Sequence, residues 1–272
     1  MSNLSFALRD SATMLRRDVR HSLRNPSMTV SGLLTPTVTM ALFIYVFGGT
    51  MGAGLGGIAH GGVGAYINYV APAIIIMTIG SGCATTAVNL CTDMGAGIIA
   101  RFRTMAISRA SVLTGVVLGS LIRTMLSIVL VIGVALLMGF RPPAGPVAWI
   151  AALGMIALFT LALTWMAVAF GLVGKTPEGA NALSLVFQLL LPFTSSAFVR
   201  PESMPVGMRW FAEYQPFTPV IDTVRGLLLG TPIGNSAILA VAWCVVLTLV
   251  GYFWARAVYN RNSVAYNFSS IR

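Results

Sequence analysis

Six apolar runs, at roughly 28–48, 66–90, 112–138, 147–173, 180–200 and 236–256, alternate along the chain with polar connections. About twenty apolar residues, rising roughly 1.5 Å each, cross a hydrocarbon core of about 30 Å. The pattern predicts an all-α polytopic membrane protein with six transmembrane helices across residues 28–256. Ahead of them, Leu4, Leu8, Ala12, Leu15, Val19 and Leu23 recur at helical spacing, while Arg9, Arg16, Arg17, Arg20 and Arg24 take the opposite side. Such a stripe predicts an N-terminal amphipathic helix over 1–27 in the inner interface, anchored to anionic lipid or docked on a protein. It is too basic and too discontinuous in its apolar residues for a cleavable signal peptide. Residues 257–272 form a cytoplasmic tail in this reading.

Two connections depart from simple loops. Between the fifth and sixth runs, at about 200–230, the chain is too apolar to be solvated, and Pro201, Pro205, Pro216 and Pro219 divide it. Trp210, Phe211, Tyr214 and Phe217 suit a membrane interface, so this stretch reads as two short re-entrant helices on the outer face. Asp222 and Arg225, three apart on the second, are placed to pair. In the other connection, Asp93 to Arg109, Ile98, Phe102 and Met105 share one helical face beside Arg101, Arg103 and Arg109. That spacing fits a short amphipathic helix on the membrane surface or in a partner's groove.

Charge fixes the orientation. Arg9, Arg16, Arg17, Arg20, Arg24, Arg101, Arg103, Arg109, Arg123, Lys175, Arg256, Arg261 and Arg272 lie on one side, and only Arg141, Arg200, Arg209 and Arg225 on the other. The positive-inside rule then puts both termini in the cytoplasm. The Gly-rich loop from Gly48 to Ala65, free of Lys and Arg, agrees with outward translocation. The net charge of +10 thus reflects topology, and no nucleic-acid surface is needed to explain it. With 57% hydrophobic and 9% charged residues, the composition belongs to the same membrane class.

Candidate chemistry narrows the reading further. Gly174, Lys175 and Thr176 imitate the end of a phosphate-binding loop, with Ala169 where its first Gly belongs. That loop requires a strand feeding a Gly-rich turn, whereas Val168 to Val173 continues an apolar helix. Gly174 to Gly179 reads instead as a turn, with Pro177 starting the next helix and Glu178 in its first turn. Ser81 has no His or Lys in a neighbouring span to serve as base, so Gly80, Gly82, Ala84 and Ala87 around it read as a small-residue packing surface. Cys83, Cys91 and Cys244 lack metal-ligand spacing, and His21 and His60 fall outside the spans. Arg123 stands inside the third span, able to snorkel inward or to pair with a nearby acidic residue.

The basic N-terminal helix, the six spans, the Asp93 to Arg109 loop with Gly97 and Arg103, and the segment from Met204 and Pro205 through Pro216 to Asp222, Arg225 and Gly226 together resemble the permease subunits of type 2 ABC exporters. The resemblance is to the daunorubicin-resistance multidrug permeases and covers essentially the whole chain, departing at Ala106, where that family commonly has Pro, and around Gly95, where it often has an acidic residue. It implies a bacterial inner-membrane, non-catalytic subunit that pairs with a second copy. Each copy would dock a separate ATPase subunit, two in all, and ATP and magnesium would belong to those partners. Under the resemblance, Arg16, Arg20, Arg101, Phe102, Arg103 and Met105 couple ATPase closure to the spans. The resemblance also implies a substrate path between the first and fifth spans across the dimer, with Phe43, Tyr45, Phe47, Phe187, Gln188, Phe193 and Phe198 as candidate lining. Met204, Pro205, Trp210, Tyr214, Pro216, Asp222 and Arg225 belong to the exit-side re-entrant helices.

The expected cargo is a hydrophobic or amphipathic drug, antibiotic or lipid, because aromatic walls without central charge suit such molecules. Two alternatives stay open: export of a lipid-linked polysaccharide, and an ATP-independent channel or secondary transporter. The last calls for ionisable groups beside broken helices, and Pro36, Pro72 and Pro192 have no Asp, Glu or His with them.

Overall fold

The computed structural model describes residues 36–47, 63–95, 109–198 and 204–269. The expected N-terminal helix with Arg16 and Arg20, and the loop with Arg101, Phe102, Arg103 and Met105, lie outside the described residues. All the regular structure among the described residues is helical. Helix α1 covers Pro36–Val46, its last turn widening into a π-helical segment at Phe43–Phe47. Then come α2 (Val63–Gly95), α3 (Arg109–Leu137), α4 (Pro146–Val173) and α5 (Pro177–Leu185). Helix α5 passes into a π-helical segment, Val186–Leu190, and a last turn, Leu191–Phe193. Two short helices, α6 (Val206–Tyr214) and α7 (Phe217–Leu229), precede α8 (Ser236–Ser269).

Four of these helices are long and apolar enough to cross a membrane: Tyr66–Gly95, Leu113–Leu137, Pro146–Val173 and Ser236–Tyr259. The other two expected spans differ. Helix α1 is described only from residue 36, and the 180–200 run is divided into an α piece, a π piece and a last turn before the bends at 194–198. Its helical part, Pro177 to Phe193, rises about 25 Å at roughly 1.5 Å per residue, and the bends at 194–198 carry the chain on from there. Pro72, by contrast, breaks nothing and stays inside the continuous α2. Helix α8 continues beyond the expected boundary at 256 because no Gly or Pro follows Gly251 before Ser269.

Helix α4 stands at the centre, with 78% of its most apolar window buried, against 22% for α8 and 33% for α3. Its buried positions go nearly all round, as a helix enclosed by other helices requires. Backbones approach closely where side chains are small. A Cβ on Gly171 of α4 would lie 2.7 Å from the Ala87 carbonyl oxygen of α2, and one on Gly82 of α2 would lie 2.5 Å from Thr124 Oγ1 of α3. The predicted small-residue surface of α2 is therefore a packing seam, with Ala84 and Ala87 buried along it.

The turn that imitates a phosphate loop is a helix start. Thr176 accepts a hydrogen bond from the Gly179 N–H at 3.1 Å, Pro177 occupies the first turn, and α4 rather than a strand precedes it.

Candidate functional site

Two assemblies stand where α1, α2, α5 and α7 meet, one apolar and one polar. The apolar one joins the ends of α1 and α5. Phe43 stacks on Phe198 with centroids 4.1 Å apart and planes 15° from parallel. Phe193 lies 5.0 Å from Phe198 and 6.5 Å from Phe43. Phe198 is 8% exposed, while Phe193 keeps 47% of its surface open, so the cluster presents a ring face outward.

Of the candidate lining residues, these three come together. Phe187 faces the other way, 5.6 Å from Phe170, whose ring meets Trp254 edge-on at 5.7 Å. Tyr45 is 78% exposed and outside the cluster, Gln188 is half-buried, and Phe47 closes the π segment of α1. The division of these residues follows from the π-helical turn. Bare backbone at Gly80 of α2 receives α5 so closely that a Cβ there would lie 2.5 Å from the Phe187 carbonyl oxygen and 2.9 Å from Gln188 Cα. A widened turn changes the angle between residues before and after it, which separates Phe187 from Phe193.

The polar assembly centres on Ser196, in the bends after α5. Its N–H donates to Thr218 Oγ1 at 3.1 Å, its hydroxyl donates to Asp222 Oδ1 at 2.8 Å, and its carbonyl accepts from the Tyr69 hydroxyl at 2.9 Å. Arg225 completes the ring. It donates to the Ser196 carbonyl at 3.0 Å, to Asp222 Oδ1 at 2.8 Å and to the Tyr69 carbonyl at 3.3 Å. Its guanidinium carbon also stands 3.9 Å from the centroid of the Tyr69 ring. The Arg225 side chain is 12% exposed and that of Asp222 34%. An arginine this enclosed is tolerated because carboxylate, carbonyls and ring face replace its water shell. Asp222 and Arg225 thus pair as their spacing suggests. Their partners Ser196 and Tyr69 lacked a local signal: Tyr69 is 156 residues from Arg225.

Helices α6 and α7 are the two short helices foreseen between the fifth and sixth runs. Helix α7 is buried against the bundle from Phe217 to Leu228 and closes at Gly230, whose φ of +71° suits glycine. Pro216 is buried at its start, and Phe217 meets Phe159 edge-on at 5.1 Å. In α6 only Ala212 is buried; Trp210 and Tyr214 are exposed, their rings 5.6 Å apart. Pro205 caps α6 and Met204 precedes it, half-buried. The Tyr214 carbonyl accepts from Trp243 Nε1 of α8 at 2.8 Å.

A second polar contact lies between α2 and α3. Arg123 donates to Thr86 Oγ1 at 3.2 Å, and the Thr86 and Ser120 hydroxyls are hydrogen-bonded to each other. Neither free snorkelling nor an acid beside Arg123 had pointed to this hydroxyl pair. Among the described residues no group of three or more His, Cys, Asp or Glu side chains could hold a metal ion.

Comparison with known proteins follows the same lines. The chain is 26% identical over 206 residues to the daunorubicin resistance ABC transporter permease protein DrrB1 of Streptomyces coeruleorubidus, covering 76% of this chain and 70% of that one. It is 25% identical over 190 residues to the probable doxorubicin resistance ABC transporter permease protein DrrC of Mycobacterium tuberculosis, covering 67% of this chain and 68% of the relative. Residues 10–229 match the family described as ABC-2 type transporter. With α1 to α7, the aromatic cluster and the polar ring all inside that range, which takes in most of the sequence, the chain belongs to the ABC-2 type transporter family.

Proposed function

We propose that this chain is the membrane permease of an ATP-driven exporter that moves hydrophobic or amphipathic compounds out of a bacterial cell. The observation that carries the reading is the aromatic face of Phe43, Phe193 and Phe198 between α1 and α5, in a chain related to drug-resistance permeases. From Gly179 to Phe198 the chain has no charged residue, so cargo there meets rings and aliphatic carbon. Flat ring faces attract apolar and aromatic molecules by dispersion and desolvation without demanding one hydrogen-bond pattern.

In this reading the chain spans the inner membrane six times with both termini cytoplasmic, and α1 and α5 line the path beside a second copy. Helices α6 and α7 dip back from the outer face. Two ATPase subunits hold ATP and magnesium, and the basic N-terminal helix and the Arg101 to Arg109 loop transmit their closure. This chain supplies the path and performs no chemistry on ATP.

Co-expression with ABC-type ATPases from the same source, followed by purification, tests the assignment. The expected result is a stable complex whose ATP hydrolysis rises with amphipathic drugs. Hydrolysis that answers only to lipids or glycans would replace the drug cargo with those classes. Failure to associate with any ATPase would overturn the reading.

A further inference from the structure

Ser196 is held by every polar group it has. Its N–H, hydroxyl and carbonyl are bound to Thr218, Asp222, Tyr69 and Arg225, which belong to α7 and α2. The bends around it are stiffened locally as well, because Ser195 Oγ donates to the Pro192 carbonyl at 2.6 Å and accepts from the Ala197 N–H at 3.1 Å. Phe198 is two residues further on. Two residues of chain reach at most about 7 Å, so Phe198 cannot travel far while Ser196 stays bound.

Phe198 is also the buried member of the aromatic cluster, stacked between Phe43 and Phe193. The ring contacts are weaker and less directional than the charge-assisted hydrogen bonds behind them. The polar ring therefore decides where Phe198 sits, and the stacking follows.

We propose that Phe198 closes the outer end of the aromatic face and that Ser196, Asp222, Arg225 and Tyr69 fasten it to α7. Movement of α7 and opening of the aromatic cluster are then one event. Arg225 and Asp222 act as positioning residues: they need not touch cargo, yet their loss frees the residue that does. The inference rests on α1 and α5 being the path and on the 194–198 bends facing outward.

The test uses the full chain with its ATPase partner in sealed cells, with Cys83, Cys91 and Cys244 replaced by Ala. Ala197→Cys, fully buried beside Phe198 and leaving its ring in place, is then labelled by a membrane-impermeant maleimide added outside. With the polar ring intact, labelling is slow. Arg225→Gln and Asp222→Asn each raise the rate about tenfold, as expected when one charge-assisted hydrogen bond is lost. Tyr69→Phe, which deletes a single hydroxyl and keeps the ring, raises it less and serves if the charge variants do not fold.

Asn235→Cys, exposed in the turn before α8, reports orientation separately. It should label rapidly from outside in every variant. If it does so while the Ala197→Cys rate is unchanged by all three substitutions, the fastening is overturned and the permease reading stands. If Asn235→Cys labels only from the cytoplasmic side, the orientation is wrong and the exit closure falls with it.

Discussion

Arg225 serves three parts of the structure with one guanidinium, so its removal is felt in all of them. Arg225→Ala leaves the Asp222 carboxylate and the Ser196 carbonyl with fewer donors in a low-dielectric setting. Breaking a fully buried pair costs about 3–5 kcal/mol; with Asp222 one-third exposed, about 2–3 kcal/mol is expected here. A lowered thermal midpoint in detergent would show it, and an unchanged midpoint would remove the ring from the stability of the fold. Phe193 should behave differently because almost half of it is already open. Phe193→Ala is expected to reduce drug-stimulated hydrolysis by the partner ATPase at least about threefold, with little change in midpoint, since a partly exposed ring has less burial to lose. If stimulation survives intact, the cluster does not contact cargo.

Helix α5 shows how one element's form depends on its neighbour. Its Thr176 cap and Pro177 start are local, and Thr176→Ala should cost about 1 kcal/mol, read as a shift in the thermal midpoint. Its π-helical segment instead lies against the bare backbone of α2 at Gly80. Gly80→Ala forces a Cβ into space already held by the Phe187 carbonyl, and overpacking of that kind costs about 1–3 kcal/mol or displaces α5. Gly133→Ala in α3 is the matched comparison, because a Cβ there meets open space. It should be neutral or stabilising by up to about 1 kcal/mol. Equal midpoints for the two variants would show that the α2–α5 approach is not tight.

At the scale of the whole molecule, the proposed exporter joins the apolar bundle around α4 to ATP hydrolysis on a partner subunit. The two basic segments, at the N-terminus and at Arg101 to Arg109, are the proposed joints, and Arg101→Ala with Arg103→Ala is expected to lower transport per ATP hydrolysed at least about fivefold, leaving membrane insertion intact. Transport and hydrolysis measured together in proteoliposomes check this, and preserved coupling would assign those arginines to lipid or topology.

Hydrophobic run length and charge were enough to predict α2, α3, α4 and α8, because about twenty consecutive apolar residues leave a backbone in lipid little choice but a helix. Short-range chemistry was equally legible: the Thr176–Pro177 helix start, the small-residue seam of α2, and the Asp222–Arg225 pair all act within four residues or one helix face. Tertiary structure decided what depends on distant partners. It divided α5, where Gly80 admits another backbone, and gathered Phe43, Phe193 and Phe198 while sending Phe187 to Phe170. It also brought Tyr69 across 127 residues to Ser196 and Thr86 to Arg123. Periodicity records which face of a helix is apolar, but not which neighbour that face will meet; packing alone settles that.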